Sequence, residues 1–260
     1  MTTLTTQNKS VGKGRVIFSN GVSVWIGQAR EPTERHSHHA IQISLVLSDG
    51  HMRLDSEHQG KTEYRNAVIT SNQQHSFEAR GELVAQIFIE PESREGRMII
   101  ATLRPGVSTF PEACITELKR KLLSSYVDKC ADDVLIALGR EISQKIASLH
   151  DKPLTELDPR IQKAQGIIKS YLGGSISLEL VAAQVFLSPD RFRHLFIEQT
   201  GIRFRPYVLW LRLCTAASHY AEGHTLTDSA LVGGFADAAH FTRTFRRMFG
   251  TAPIRVTIDR

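Results

Sequence analysis

The feature that most constrains this chain is a repeat near its C-terminus. Phe192, Phe196 and Gly201 recur as Phe241, Phe245 and Gly250, each 49 positions later. The copies read Ser-Pro-Asp-Arg-Phe-Arg-His-Leu-Phe over 188–196 and Asp-Ala-Ala-His-Phe-Thr-Arg-Thr-Phe over 237–245. Both open on helix-start residues: Ser188 before Pro189 in the first, Asp237 in the second. Helical spacing then puts Phe192, Leu195, Phe196 and Gln199 on one face and Asp190, Arg193 and His194 on the other. In the second copy Phe241, Phe245 and Met248 face in, while Ala238, Ala239, Thr242 and Arg243 face out. Gly201 and Gly250 suit the left-handed position that ends a helix.

A short helical segment precedes each copy, 178–186 before the first and 226–232 before the second. Short helix, tight turn and second helix with a basic outer face form the helix-turn-helix pattern, whose second helix enters the DNA major groove. Two such units are joined by a long helix over 206–222, whose Tyr207, Leu211, Cys214 and Ala217 repeat at helical spacing. Successive major-groove faces lie about 34 Å apart, so a rigid connector lets one monomer engage both. Charge agrees. Lys plus Arg number 13 against 7 Asp plus Glu over 160–260, a net of +6, while the other 159 residues hold 19 against 20. The whole basic excess sits on the repeat-bearing half, as a polyanion partner requires.

Residues 160–255 resemble the DNA-binding domain of AraC/XylS-type transcriptional regulators. The resemblance is carried by Ala182, Ser188-Pro189, Phe192, Leu195-Phe196, Glu198, Thr200-Gly201, Tyr207, Leu211-Arg212-Leu213 and Ala216. Ala230, Gly234-Phe235, His240-Phe241, Arg243, Phe245-Arg246, Phe249-Gly250 and Pro253 carry it in the second half. Ser229, Gly233, His219 and Tyr220 depart from it, standing where the family usually has aliphatic residues. The resemblance implies double-stranded DNA as partner, with RNA polymerase a further one. It also implies base contacts from Asp190, Arg193, His194, Ala238, Ala239 and Arg243. A guanidinium can bond guanine O6 and N7 together, and alanines suit thymine methyls. Arg203, Arg205, Arg212, Thr242, Arg246 and Arg247 are the phosphate candidates, which position without specifying. If about 5 phosphates are neutralised, log K falls against log salt with a slope near −4 to −5.

The N-terminal half reads as β-rich, with short β-branched or alternating segments at 15–18, 22–27, 41–47, 51–55, 67–70 and 84–90. Asp49-Gly50 between two of them predicts a hairpin. Many short strands predict a small barrel or jelly roll. His36-Ser-His38-His39, Gln42 and Gln74-His75-Ser76-Phe77 resemble the two cupin motifs. A metal-binding cupin would use His36, His38 and His75 with a carboxylate near position 42; here Gln42 stands there, and no metal or other cofactor is expected. A small-molecule effector pocket would instead draw on Trp25, His36, His38, Gln42, His75, Phe77 and Phe88.

Residues 111–150 turn helical, with stripes at Ile115, Leu118, Leu122 and Tyr126, then Leu135, Leu138, Ile142, Ile146 and Leu149. In the family such helices commonly dimerise, which implies a homodimer; intramolecular packing is the alternative. The segment 152–158 reads as a linker, and residues 1–10 as a frayed tail. The expected architecture is therefore α+β with two domains. A cupin-like sensor spans 1–110, a helical connector and linker 111–158, and an all-α reader 159–260. No apolar run approaches a membrane span, no signal peptide opens the chain, and Cys114, Cys130 and Cys214 form no disulfide or zinc pattern, giving a cytoplasmic reading. The expected function is a non-enzymatic, effector-controlled regulator. The rivals are a metal-dependent cupin enzyme with an appended DNA-binding domain, and a ligand-independent regulator that uses its β half only to dimerise.

Overall fold

The computed structural model describes residues 12–57, 59–149 and 156–258. The expected tail, and residues 152–155 of the expected linker, lie outside them. In chain order the β half comprises β1 (Gly12–Ser19), β2 (Val22–Ala29), β3 (Ile41–Val46), β4 (Met52–Ser56), β5 (Gly60–Tyr64), β6 (Asn66–Ile69), β7 (His75–Glu78) and β8 (Leu83–Ile89). Helix α1 (Arg94–Thr102), β9 (Val107–Ser108), α2 (Thr116–Val127) and α3 (Asp132–Ala147) follow. The helical half comprises α4 (Pro159–Ser170), α5 (Leu178–Gln184), α6 (Pro189–Thr200), α7 (Phe204–Ala221), α8 (Leu226–Val232) and α9 (Ala238–Phe249), before a final strand β10 (Val256–Ile258).

The barrel or jelly roll expected from the sequence does not form. The strands make two separate open sheets, one of seven strands in the order β10-β1-β2-β8-β3-β6-β9 and one of three in the order β5-β4-β7. A barrel needs an unbroken ring of strand pairing, and here β10, β9, β5 and β7 stand at sheet edges. The Asp49-Gly50 hairpin is absent as well. β3 pairs with β6 and β8, whereas β4 pairs with β5 and β7, so this turn carries the chain from one sheet to the other. Burial explains the separation. Every residue of β3 is buried, while β4 alternates between buried and half-buried residues. β3 is therefore a central strand covered on both faces, and β4 covers only one.

Alternation along β3 divides its neighbours between two layers. Ile41, Ile43 and Leu45 join the core formed with Leu122, Leu135, Leu138, Ile142 and Ile146, so α2 and α3 spend their apolar stripes on the chain's own large sheet. On the other face Val46 packs with Met52, Leu54, Ile69 and Phe77 between the sheets. Gln42 and Ser44 share this inner register, and both are buried.

In the helical half the signals read at Ser188, Asp237, Gly201 and Gly250 act as expected: Ser188 and Asp237 each cap a helix by accepting a backbone N–H, and Gly201 and Gly250 end α6 and α9 with φ of 69° and 68°. Ser177 and Thr225 cap α5 and α8 in the same way. The two turns are bonded alike: Phe186 and Leu187 N–H donate to Ala183 and Ala182, as Gly234 and Phe235 donate to Leu231 and Ala230. The repeat is thus 48 residues through the turn and 49 beyond it, because the second turn holds one more residue, Ala236. The departures from the family pattern answer one another, since His219 Nδ1 lies 3.2 Å from the buried Ser229 hydroxyl. Four strands, β5, β7, β9 and β10, were not among the segments read from the sequence; β10, beyond α9, adds in parallel to β1 and ties the end of the helical half to the large sheet.

Candidate nucleic-acid interface and the seam behind it

The side chains expected to read bases stand on the outer faces of α6 and α9. Asp190, Arg193, His194, Ala239 and Arg243 are exposed and Ala238 half-buried, as is the phosphate candidate Thr242 beside them, while Phe192, Phe196 and Phe241 are fully buried beneath. Asp190 accepts from Arg193 Nη1 at 3.0 Å, and its backbone carbonyl lies 2.9 Å from His194 Nδ1. Asp190 therefore orients the first helix's guanidinium, and Arg243 has no carboxylate partner among the described residues.

The phosphate candidates divide in three ways. Arg203, Arg205 and Arg247 are exposed and make no ion pair among the described residues. Arg212 is half-buried; its Nη2 donates to the Gly174 carbonyl at 2.8 Å, bracing the approach to the second turn. Arg246 is held by Glu34 of the β half, with Nε donating to Oε2 at 2.8 Å and Nη2 bonded to the other oxygen. Glu34, together with Arg35, which joins Arg205, Arg243, Arg246 and Arg247 around an open groove of ≈ 850 Å³, was not singled out from sequence. Nothing local in 31–35 distinguishes these residues from an ordinary charged loop.

That ion pair belongs to a seam between the halves. Glu34 N–H donates to the Gly250 carbonyl at 2.7 Å. Gly250 is needed twice, for its φ of +68° and because a Cβ would lie 2.4 Å from the Glu34 carbonyl oxygen. Its repeat mate Gly201, with φ +69°, has nothing within 4 Å of a Cβ. Gly250→Ala is therefore expected to cost about 2–4 kcal/mol, and Gly201→Ala only about 1–2 kcal/mol, for the left-handed backbone alone. Denaturant midpoints measure both; equal losses would mean that the seam yields freely at Gly250.

Behind the seam lies an apolar cavity of ≈ 130 Å³, with Trp25, His36, Gln42, Phe77 and Phe88 in its wall. His38 and His75, expected to belong to the same pocket, stand beside it. The reader supplies the rest of the wall: Trp210, Cys214 and Tyr220 from α7, and Phe245 and Phe249 from α9. The sequence carried one sign of this. Trp210 falls on the apolar stripe of α7, three positions after Tyr207 and four before Cys214, so a large indole there needs cover from a neighbouring element. The indole N–H groups of Trp25 and Trp210 are buried and meet no acceptor among the described residues.

His36, His38 and His75 converge at the cavity's edge. His36 and His75 form an isolated bridge, each N–H donating to the other's carbonyl at 2.9 Å, and their rings lie 4.2 Å apart. The His38 ring is 5.3 Å from His75, 6.2 Å from Trp210 and 6.0 Å from Phe249. Burial, reinforced by the neighbouring His38, holds the His36 pKa down at about 4 despite the bond to the Glu34 carbonyl. Burial likewise lowers His38, and burial followed by His36 and His38 takes His75 well below the ordinary range. All three rings are neutral at pH 7.

Fold and interface together define a class: two helix-turn-helix units in tandem, docked on a two-sheet β domain. Comparison with known proteins agrees for the reader. Residues 181–257 match the family described as "Helix-turn-helix domain". The chain is 30% identical over 157 residues to the "Probable transcriptional regulator LumQ" of Photobacterium leiognathi, covering 58% of this chain and 62% of that one. It is 27% identical over 135 residues to the "Regulatory protein PocR" of Salmonella typhimurium, covering 51% and 45%. The chain thus spans less than two thirds of these relatives. The fold is similar to that of ToxT from Vibrio cholerae O395, with a TM-score of 0.60 over 90% of this chain and 96% of that one, at 13% identity. Among the described residues no helix is long and apolar enough to cross a membrane.

Proposed function

We propose that this chain is a sequence-specific DNA-binding transcriptional regulator whose affinity for its operator is set by a small apolar molecule held at the seam. One observation carries the reading: a single cavity is walled both by β strands and by α9, the second reading helix. A molecule seated there touches the element that reads DNA, so it binds open and closed arrangements of the seam unequally, which is what coupling requires. The two unpartnered indole N–H groups favour an apolar body carrying one hydrogen-bond acceptor. ToxT, which shares the fold, has been solved with an unsaturated fatty acid bound. In this reading residues 1–110 sense, 111–158 connect and 159–260 read. RNA polymerase is a further partner, and a homodimer would use the outer faces of α2 and α3, because their apolar stripes are buried within the chain.

Selection of bound duplexes from a random pool tests the reading directly. On the selected site Arg193→Ala is expected to cost about 1–3 kcal/mol and to relax preference within one half only; Arg243→Ala should do the same in the other half. Arg247→Ala should weaken every sequence alike. A sequence-blind loss of equal size in all three variants would overturn the assignment of reading residues.

A further inference from the structure

We propose that His36, His38 and His75 form a binding site for one divalent cation of the imidazole-preferring kind, with zinc(II) as the type and Gln42 as an adjustable fourth group. One donor atom from each of the three buried residues lies within 4.8 Å of the others. The hydrogen bonds decide which nitrogen is free. His36, His38 and His75 each place Nδ1 2.8–2.9 Å from a backbone carbonyl, those of Glu34, Ala40 and Gln73. A carbonyl only accepts, so each Nδ1 carries the proton and each Nε2 presents a lone pair. Metal-ligating imidazoles are oriented in this way, their second nitrogen donating to a fixed acceptor.

A second observation points to a ligand. His75 Nε2 is buried and has no hydrogen-bond partner among the described residues. The His38 Nε2 lone pair faces Gln42 Oε1 at 2.9 Å, while the same carboxamide donates from Nε2 to Ser44 Oγ at 2.9 Å. Two acceptors facing one another need a cation between them or a turned carboxamide. Turning Gln42 over satisfies both of its partners in the metal-free protein, since its NH₂ then donates to His38 and the Ser44 hydroxyl donates to its oxygen. The unturned carboxamide instead offers that oxygen to a cation. Zinc–nitrogen bonds of about 2.0–2.1 Å set tetrahedral ligands about 3.3 Å apart, within reach of small ring rotations. The sequence argues against a metal here because no carboxylate stands at position 42. Three-imidazole zinc sites nevertheless exist without one, water or another oxygen completing the shell.

The test uses the full-length chain, stripped with a chelator and titrated with cobalt(II) and then zinc(II). One cobalt per chain is expected, with visible d–d absorption of a low-coordinate nitrogen site that zinc abolishes. His36→Gln and His75→Gln should weaken binding at least about tenfold, and Gln42→Glu, which adds a charged oxygen, should tighten it at least about tenfold. Replacing the exposed His51 and His224 by alanine should leave the titration unchanged. No absorption at millimolar cobalt, or binding undiminished in folded His36→Gln, would overturn the site. Should both histidine variants fail to fold, Gln42→Glu decides: tighter binding supports the site, and unchanged or absent binding overturns it.

Discussion

Lowering the pH of the metal-free protein from 7 to about 4.5 should remove at least about 2 kcal/mol of folding stability through His36 alone. Its folded pKa of about 4 lies below the ordinary 6.5, so the unfolded chain takes the proton first. Stability that is complete above about pH 6.5 is therefore lost progressively down to about pH 4, and the contribution is flat below that. His38 and His75 act in the same direction, because burial opposes their charging too. The three rings lie close enough to titrate as one coupled unit, so the loss belongs to the cluster rather than to any one ring. Denaturant unfolding at half-unit pH steps measures the slope, which should exceed one proton per chain near pH 5.5. A stability curve flat between pH 6.5 and 5 would rule out neutral burial of the cluster. The consequence is mechanical as well, since His38 packs on Trp210 and Phe249, and charging the cluster loosens the face on which the reader is docked.

Raising salt from 50 to 200 mM should weaken operator binding about 40-fold, not the roughly 500-fold that five phosphate contacts would give. The difference follows from where the structure places the arginines. Arg203, Arg205 and Arg247 are free to meet phosphates, for a slope near −2.7, at about 0.9 per contact. Arg212 is committed to the Gly174 carbonyl and Arg246 to Glu34. Glu34→Gln removes the carboxylate that competes for Arg246. It should raise affinity at low salt and steepen the slope by about 0.9, as one more phosphate contact forms. Anisotropy titrations of a labelled operator across a potassium chloride series read both quantities. If Glu34→Gln leaves slope and affinity unchanged, Arg246 is not restrained by the seam. The same variant links DNA affinity to the state of the domain contact without touching a base-reading residue.

What could be read from the chain alone was whatever depends on neighbours in sequence. Helix starts at Ser188 and Asp237, helix ends at Gly201 and Gly250, and the inward phenylalanines of α6 and α9 are set within one or two turns of backbone. Such signals survive any tertiary context, because an unsatisfied N–H or a left-handed residue is a local problem with a local solution. Helices α6 and α9 and the residues on their outer faces were legible for that reason, and so were most strands as segments. How the strands combine was not. Residues 41–47 and 51–55 flank a good hairpin turn, yet burial on both faces draws β3 into the large sheet and leaves β4 in the small one.

The seam was likewise decided in three dimensions. Glu34 meets Arg246 across 212 positions, and His75 reaches His36 from 39 positions away through a single bridge. Neither pairing alters the local pattern of either partner. The cavity wall, the restrained arginine and the convergence of three imidazoles are products of packing the reader against the β domain, where contact geometry decides and sequence separation carries no information.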